Sequence, residues 1–144
     1  MADPDEGARG GLSLRGAVRE PTVSGAPAPP RMGAAALAEA QLAAYLVGDI
    51  DGFCACYADD VRVIGESGEV ELEGMERFRA RYASLFARGG YGATVNGRLF
   101  LAEHCVDLEH WWRVDPETGA RFEGTALIRY SVADGKISVV QFLR

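Results

Sequence analysis

Cysteine is scarce in this chain and badly placed for a framework. Cys54, Cys56 and Cys105 are the only three. Their number is odd, the first two are separated by one residue, and no C-x-x-C occurs. This excludes a disulfide scaffold and points to reduced thiols in a cytoplasmic protein. Long apolar runs are missing too. The most apolar stretch, Gly33 to Val47, is too short for a bilayer and is interrupted by Glu39 and Gln41. No apolar segment follows basic residues near the N-terminus, so a secretory signal is not expected. Positive charge is short as well: 15 Lys and Arg face 21 Asp and Glu, for a net charge of −6. The basic residues are scattered among the acids, which argues against a nucleic-acid or anionic-membrane surface. No glycine-rich segment has the strand–loop–helix setting of a phosphate loop, and no Ser-His-Asp arrangement is supported by spacing. Glu103-His104 and Glu109-His110 repeat at a spacing of six, but no third ligand accompanies them. No metal or other cofactor is expected.

The length of 144 residues suits one domain with a real core. Residues 1–33 are rich in Gly, Pro and Ala and have almost no periodic apolar pattern. Such a segment cannot bury enough surface to offset its ordering entropy, so it is expected to be disordered. Met32 follows Ala26-Pro27-Ala28-Pro29-Pro30 after a single arginine, and a natural start at Met32 is an expectation that the intact mass of natively expressed protein would test. The domain is expected over residues 34–144.

Ala34 to Val47 is strongly helix-forming, with Leu37, Leu42, Tyr45 and Leu46 on one side. Gly48 is placed to end this helix and Asp49 to cap the next, expected over Ile50 to Tyr57 with Ile50, Phe53 and Tyr57 buried. Ala58-Asp59-Asp60 ends it, and Val61 to Ile64 reads as a short strand. Glu69 to Glu73 alternates with period two, which directs Val70 and Leu72 inward and the glutamates outward. After Gly74, the spacing of Met75, Phe78, Tyr82, Leu85 and Phe86 predicts an amphipathic helix that stops at Gly89-Gly90. Val95 to Ala102, Cys105 to Val114, Phe122 to Val132 and Lys136 to Leu143 then read as an antiparallel meander. Asp134-Gly135 supplies a two-residue turn.

Gly48-Asp49-Ile50, Tyr57-Ala58-Asp59-Asp60, Gly74 with its helix, and Asp134-Gly135-Lys136-Ile137 occur in an order and spacing that resemble the nuclear transport factor 2-like superfamily. Within it, the SnoaL-like and ketosteroid-isomerase-like branch is the nearest in look. The resemblance spans about Ala36 to Leu143. It implies a cone-shaped α+β fold, with three N-terminal helices packed on a curved, mainly antiparallel β-sheet that encloses an apolar pocket. It does not carry over the branch's catalytic groups. The tyrosine position of ketosteroid isomerases falls on Gln41, the aspartate base on Gly65, and the late aspartate on Ala126 or Leu127, so a keto–enol isomerase mechanism is disfavoured. Glu66 lies one residue past the base position, and such a shift reverses its face. No carboxylate stands where the SnoaL-like cyclases place theirs.

Strand alternation puts Val106, Leu108, His110, Trp112 and Val114 on one face, which the resemblance assigns to the pocket. His110 is then the leading candidate proton shuttle, and Tyr57 or Tyr45 the hydrogen-bond donor to a ligand carbonyl. Tyr45, Phe53, Phe78, Tyr82, Leu108 and Trp112 are the candidate pocket lining. Each of these side chains could equally be core packing. Across the Asp134-Gly135 turn, Ile128 should pair with Gln141 and Arg129 with Val140. Both resulting faces are apolar, so Arg129 either anchors a ligand carboxylate or decorates the outer sheet. Trp111 should lie on the outer face, and its exposure there predicts a homodimer through the sheet. Two functional readings stand. One is a protein that binds a small, largely apolar organic ligand as an isomerase, cyclase or hydro-lyase using acid–base chemistry. The other is a non-catalytic ligand-binding or dimerisation module.

Overall fold

The computed structural model describes residues 32–144. The expectation of disorder up to residue 31 lies outside them, as does the question of where translation starts. The alanine-rich run forms α1 (Ala34–Val47). Gly33 offers no side-chain cap there; instead the Ala34 N–H donates to the Ala102 carbonyl at 3.0 Å. At the other end Gly48 adopts φ 71°, a left-handed conformation that glycine enters without steric cost, and closes the helix on Ala44 and Tyr45. The Asp49 carboxylate then accepts from the Gly52 N–H at 3.0 Å and starts α2 (Ile50–Cys54).

Here the structure corrects the sequence reading. The second helix ends at Cys54, and Tyr57 opens β1 (Tyr57–Ile64) instead of closing a helix. The cause is non-local. Tyr57 pairs with Ile137 in a parallel ladder, and the Ile137 N–H donates to the Cys56 carbonyl at 2.9 Å. A partner eighty residues away thus overrides the local helical pattern. β2 (Val70–Glu73) follows. Leu72 is buried in it, but Val70 is exposed, because a bulge pairs Leu72 with Val63 and Val70 with Ile64.

The 3.6-residue pattern after Gly74 forms α3 (Met75–Arg88), which buries Phe78 and Leu85. The meander follows as β3 (Tyr91–Leu101), β4 (His104–Val114), β5 (Arg121–Ala133) and β6 (Lys136–Leu143). β3 begins four residues earlier than its composition suggested, since Tyr91 to Val95 pair in register with Arg113 to Glu109. The six strands run in the order β2-β1-β6-β5-β4-β3, antiparallel except for β1 beside β6.

The β5–β6 register also departs from expectation. Ala133 pairs with Lys136 and Val132 with Ile137, as the two-residue turn dictates, but Ser131 then pairs with Val139, leaving Ser138 as an extra residue. Beyond this irregularity Ile128 faces Phe142 and Arg129 faces Gln141. One bulge therefore reassigns every β6 side chain from Val139 onward relative to β5.

The helices cover one sheet face through an aromatic cluster. Phe53 stacks on Phe78 at 5.7 Å between ring centroids and lies 4.7 Å from Tyr82; Tyr45 meets Tyr91 edge-on at 4.9 Å. Two glycines permit close approach within the sheet. A Cβ at Gly92 would lie 2.4 Å from the Trp112 ring, and one at Gly124 would lie 2.8 Å from the Trp111 ring.

Candidate functional site

On β4 the side chains covered by the helices are Cys105, Asp107, Glu109, Trp111 and Arg113. Cys105 and Asp107 are fully buried, and Glu109 and Arg113 line a cavity of about 270 Å³ with Tyr45, Tyr82 and Phe142. This is the opposite face from the one the sequence reading chose. The correction has a physical reason: alternation shows that a strand has two faces, and the covered face was taken to be the more apolar one. In this strand the covered face carries the carboxylates, and the outer face carries Val106, Leu108 and Trp112. The run Asp107-x-Glu109-x-x-x-Arg113, charged residues of one parity inside an apolar strand, was the available signal.

The displaced candidates follow from that inversion. His110 lies on the outer face, where its Nε2 is 2.8 Å from Glu123 and its side chain is 37% exposed. Leu108 and Trp112 share that face. Arg129 joins them because it pairs directly with outer-face Val106 across β4 and β5, with its Nε donating to Gln141 at 3.1 Å and an amino group to the Ser131 hydroxyl at 3.0 Å. None of these four lines the cavity. Trp111, expected outside, packs against the core and borders a second cavity of about 250 Å³ beside Glu109. Phe78 is buried in the core and contributes no cavity wall. Tyr45, Phe53, Tyr57 and Tyr82 do line the cavity.

At the inner end, Gln41 organises two tyrosines. Its Nε2 donates to the Ala38 carbonyl at 3.0 Å and to the Tyr130 hydroxyl at 3.1 Å, while the Tyr57 hydroxyl donates to its Oε1 at 2.8 Å. Because a backbone carbonyl can only accept, the Ala38 contact fixes which end of the amide is nitrogen. The direction of donation is thereby set from Tyr57 through Gln41 to Tyr130. The Tyr130 oxygen accepts, so its own proton remains to be given to another group. All three residues are buried, and burial raises both phenols well above their ordinary range. They are neutral donors at any physiological pH. Tyr45 and Tyr82, also raised chiefly by burial, have hydroxyls without a hydrogen-bond partner among the described residues.

Glu109 is the chemically distinctive group. Its carboxyl is raised from 4.5 to about 7, chiefly by desolvation and further by the nearby Asp107 charge, with Arg113 opposing both. Among the described residues it makes no hydrogen bond or ion pair. Asp107, two residues along the same face, is by contrast fully engaged. Arg98 grips both of its oxygens at 2.6 and 2.9 Å and reaches Glu39 on α1 at 2.9 Å. The Cys105 thiol adds a contact to Asp107 at 3.4 Å and is pushed up to about 12, mainly by burial. It is therefore an inert thiol. Asp107 ties the helix layer to the sheet, whereas Glu109 is a carboxylic acid free to exchange a proton with whatever enters.

Among the described residues, no helix is long and apolar enough to cross a membrane, and no group of three His, Cys, Asp or Glu is placed to hold a metal ion.

Several solved structures share this architecture. An uncharacterized cystatin-fold protein from Novosphingobium aromaticivorans is 28% identical, with a TM-score of 0.69 over 78% of this chain and 99% of that one. The Δ5-3-ketosteroid isomerase of a Mycobacterium species is 18% identical, with a TM-score of 0.68 over 76% and 91%. RV0760c of Mycobacterium tuberculosis, in complex with estradiol-17β-hemisuccinate, is 19% identical, with a TM-score of 0.65 over 74% and 88%. At such identities the last two speak for the fold alone. No curated protein matches the chain by sequence. The SnoaL-like domain model, however, matches residues 38–140, and the chain belongs to the SnoaL-like domain family.

Proposed function

We propose that this protein is a small-molecule enzyme that works by acid–base catalysis in the cavity between α1, α3 and the sheet. The carrying observation is Glu109, an unpartnered carboxyl on the cavity wall with its pKa raised to about 7. A group poised there is present in both protonation states near neutral pH, which suits it to take a proton from carbon and return it elsewhere. Tyr130, oriented by Gln41, is the donor that would hold a ligand carbonyl oxygen, and the unpartnered hydroxyls of Tyr45 and Tyr82 are further donors. Isomerisation, cyclisation and hydro-lyase chemistry adjacent to a carbonyl all use such a pair. The fold relatives that act on or bind steroids support a carbonyl-bearing polycyclic ligand as the first class to try.

The test is solvent-deuterium incorporation. The protein is incubated in D₂O with 2-tetralone, cyclohex-2-enone and a steroid enone, and exchange is read by mass spectrometry against Glu109→Gln. Exchange above the buffer rate that is lost in the variant is the expected result. Equal rates with and without protein across the set, or a Glu109→Gln variant as fast as the wild type, overturn the proposal.

A homodimer through the outer sheet face belongs to the same reading, on a revised set of residues. Leu99 and Leu101 are 74% and 77% exposed, and Leu108 and Leu127, paired across β4 and β5, are also exposed. A second copy is the occupant, because this apolar face lies opposite the helices and leaves the cavity open. Sedimentation at micromolar concentration should give a dimer, and Leu99→Glu with Leu127→Glu should give a monomer. A wild-type monomer would overturn this.

A further inference from the structure

The charge around the cavity is out of keeping with the chain. A protein of net charge −6 places four arginines, Arg81, Arg88, Arg113 and Arg144, on the cavity wall against two carboxylates, Glu71 and Glu109. Arg81 and Arg88 stand one turn to either side of Leu85 on a single stripe of α3. Leu85 is buried, and the two arginines flank the opening. Arg113 and Arg144 come from the sheet and line the second cavity as well. Arg81, Arg113 and Arg144 all act on the Tyr82 phenol, lowering its pKa against the burial and the Glu109 charge that raise it, so all three lie near that side chain.

These arginines are also unusual in what holds them. Arg79, Arg98 and Arg121 are paired with Asp51, Asp107 and Glu123. Arg113 and Arg144 have no carboxylate partner among the described residues. Arg113 donates to the Trp112 carbonyl at 3.0 Å and lies 5.6 Å from the centroid of the Trp111 ring; Arg144 lies 5.0 Å from that of Phe142. A guanidinium held over a ring keeps its N–H edge free for a planar anion, at less ordering cost than a free side chain. Clustered positive charge beside a low-dielectric wall also concentrates anions at the opening.

We infer that the ligand of this cavity is an organic anion, whose carboxylate is held by Arg113 and Arg144 at the open end while its apolar body lies inward against Tyr45, Tyr82 and Phe142. Glu109 and Arg113 are four residues apart on one strand face, or about 13 Å between backbones. Both side chains line the same cavity, so one ligand can meet the anchor and the proton-transferring carboxyl together. The inference rests on the cavity being the ligand site, and it refines the small, largely apolar ligand that the sequence suggested. It also moves the carboxylate anchor from Arg129 to Arg113.

Naphthalene-2-carboxylate and its neutral isostere naphthalene-2-carboxamide, titrated calorimetrically at about pH 6, test it; there the probe is ionised and Glu109 is largely protonated. The carboxylate should bind at least about tenfold more tightly than the amide. Arg113→Gln should shrink that preference, with a loss of carboxylate affinity clearly larger than any loss of amide affinity. In the wild type, raising salt should erode carboxylate binding and leave the amide untouched, a readout that needs no variant. Equal affinity for the two probes overturns the anion inference and leaves the cavity as a ligand site. Binding of neither counts against both readings.

Discussion

Arg98 holds both oxygens of Asp107, a carboxylate whose side chain is 1% exposed, and joins β3 to the centre of β4 beneath α1. The pair sits two residues from Glu109 on the same strand face. It is thus at once a structural tie and the source of the negative charge that helps keep Glu109 protonated. Arg98→Met would leave that carboxylate buried and uncompensated, at an expected cost of about 3–5 kcal/mol. Arg98→Met with Asp107→Leu should recover much of the loss, and urea unfolding of the three proteins checks it. Asp107→Asn should in turn lower the Glu109 pKa below about 7, read from its carboxyl ¹³C shift.

Glu109 also sets a pH dependence of stability. Its folded pKa of about 7 lies above the ordinary 4.5, so the folded chain retains a proton that the unfolded chain releases. The stability tied to this group is fully present below about pH 4.5, is lost as pH rises to about 7, and does not change further above it. Glu109→Gln cannot ionise. Its melting temperature should match the wild type at about pH 4.5 and exceed it above about pH 7, by the equivalent of about 3 kcal/mol. A difference that does not depend on pH would refute this.

Gly124 faces the Trp111 ring so closely that a Cβ would come within 2.8 Å of it. Gly124→Val should cost about 1–3 kcal/mol by forcing the indole from its seat, with a shift in tryptophan emission as the indole turns toward water. Unaltered emission together with wild-type stability would contradict the geometry.

Gln41→Leu should strand the Tyr57 hydroxyl in the core. Leaving a buried donor unpaired costs about 1–3 kcal/mol, and Gln41→Glu at low pH, where the side chain is neutral, should recover part of it. Thermal denaturation across pH is the measurement.

His110→Ala should change stability by less than about 1 kcal/mol, since its partner Glu123 is exposed and the pair sits in solvent. The same variant should leave naphthalene-2-carboxylate affinity unchanged, because the imidazole points away from the cavity.

Much of the fold was legible wherever the signal is local. The α1 and α3 boundaries follow from composition, from a 3.6-residue apolar repeat and from glycines at Gly48 and Gly89; the β5–β6 turn follows from Asp134-Gly135. Tyr45, Tyr57 and Tyr82 were found in the sequence because aromatic residues on three successive segments have one core to meet in. The end of α2 was missed because it depends on Ile137, far along the chain. The pairing of Arg129 with Gln141 was missed because Ser138 is an extra residue, and nothing in Lys136 to Leu143 announces it; its outward face was left open because it depends on the register with Val106 of β4.

By itself, the sequence determined the element types, their order, the family and the existence of two distinct faces on every strand, all of which depend on neighbouring residues. Only the tertiary structure decided which face the helices cover. That choice turned His110, Leu108 and Trp112 outward and brought Glu109 and Arg113 inward, because covering a face depends on what packs over it and not on its own polarity. It also converted Glu109 from a charge on the face opposite the expected pocket into a carboxyl whose pKa is raised to about 7 by burial. A pKa is a property of surroundings, and the cavity around this one is assembled from three helices and five strands that meet only in the folded chain.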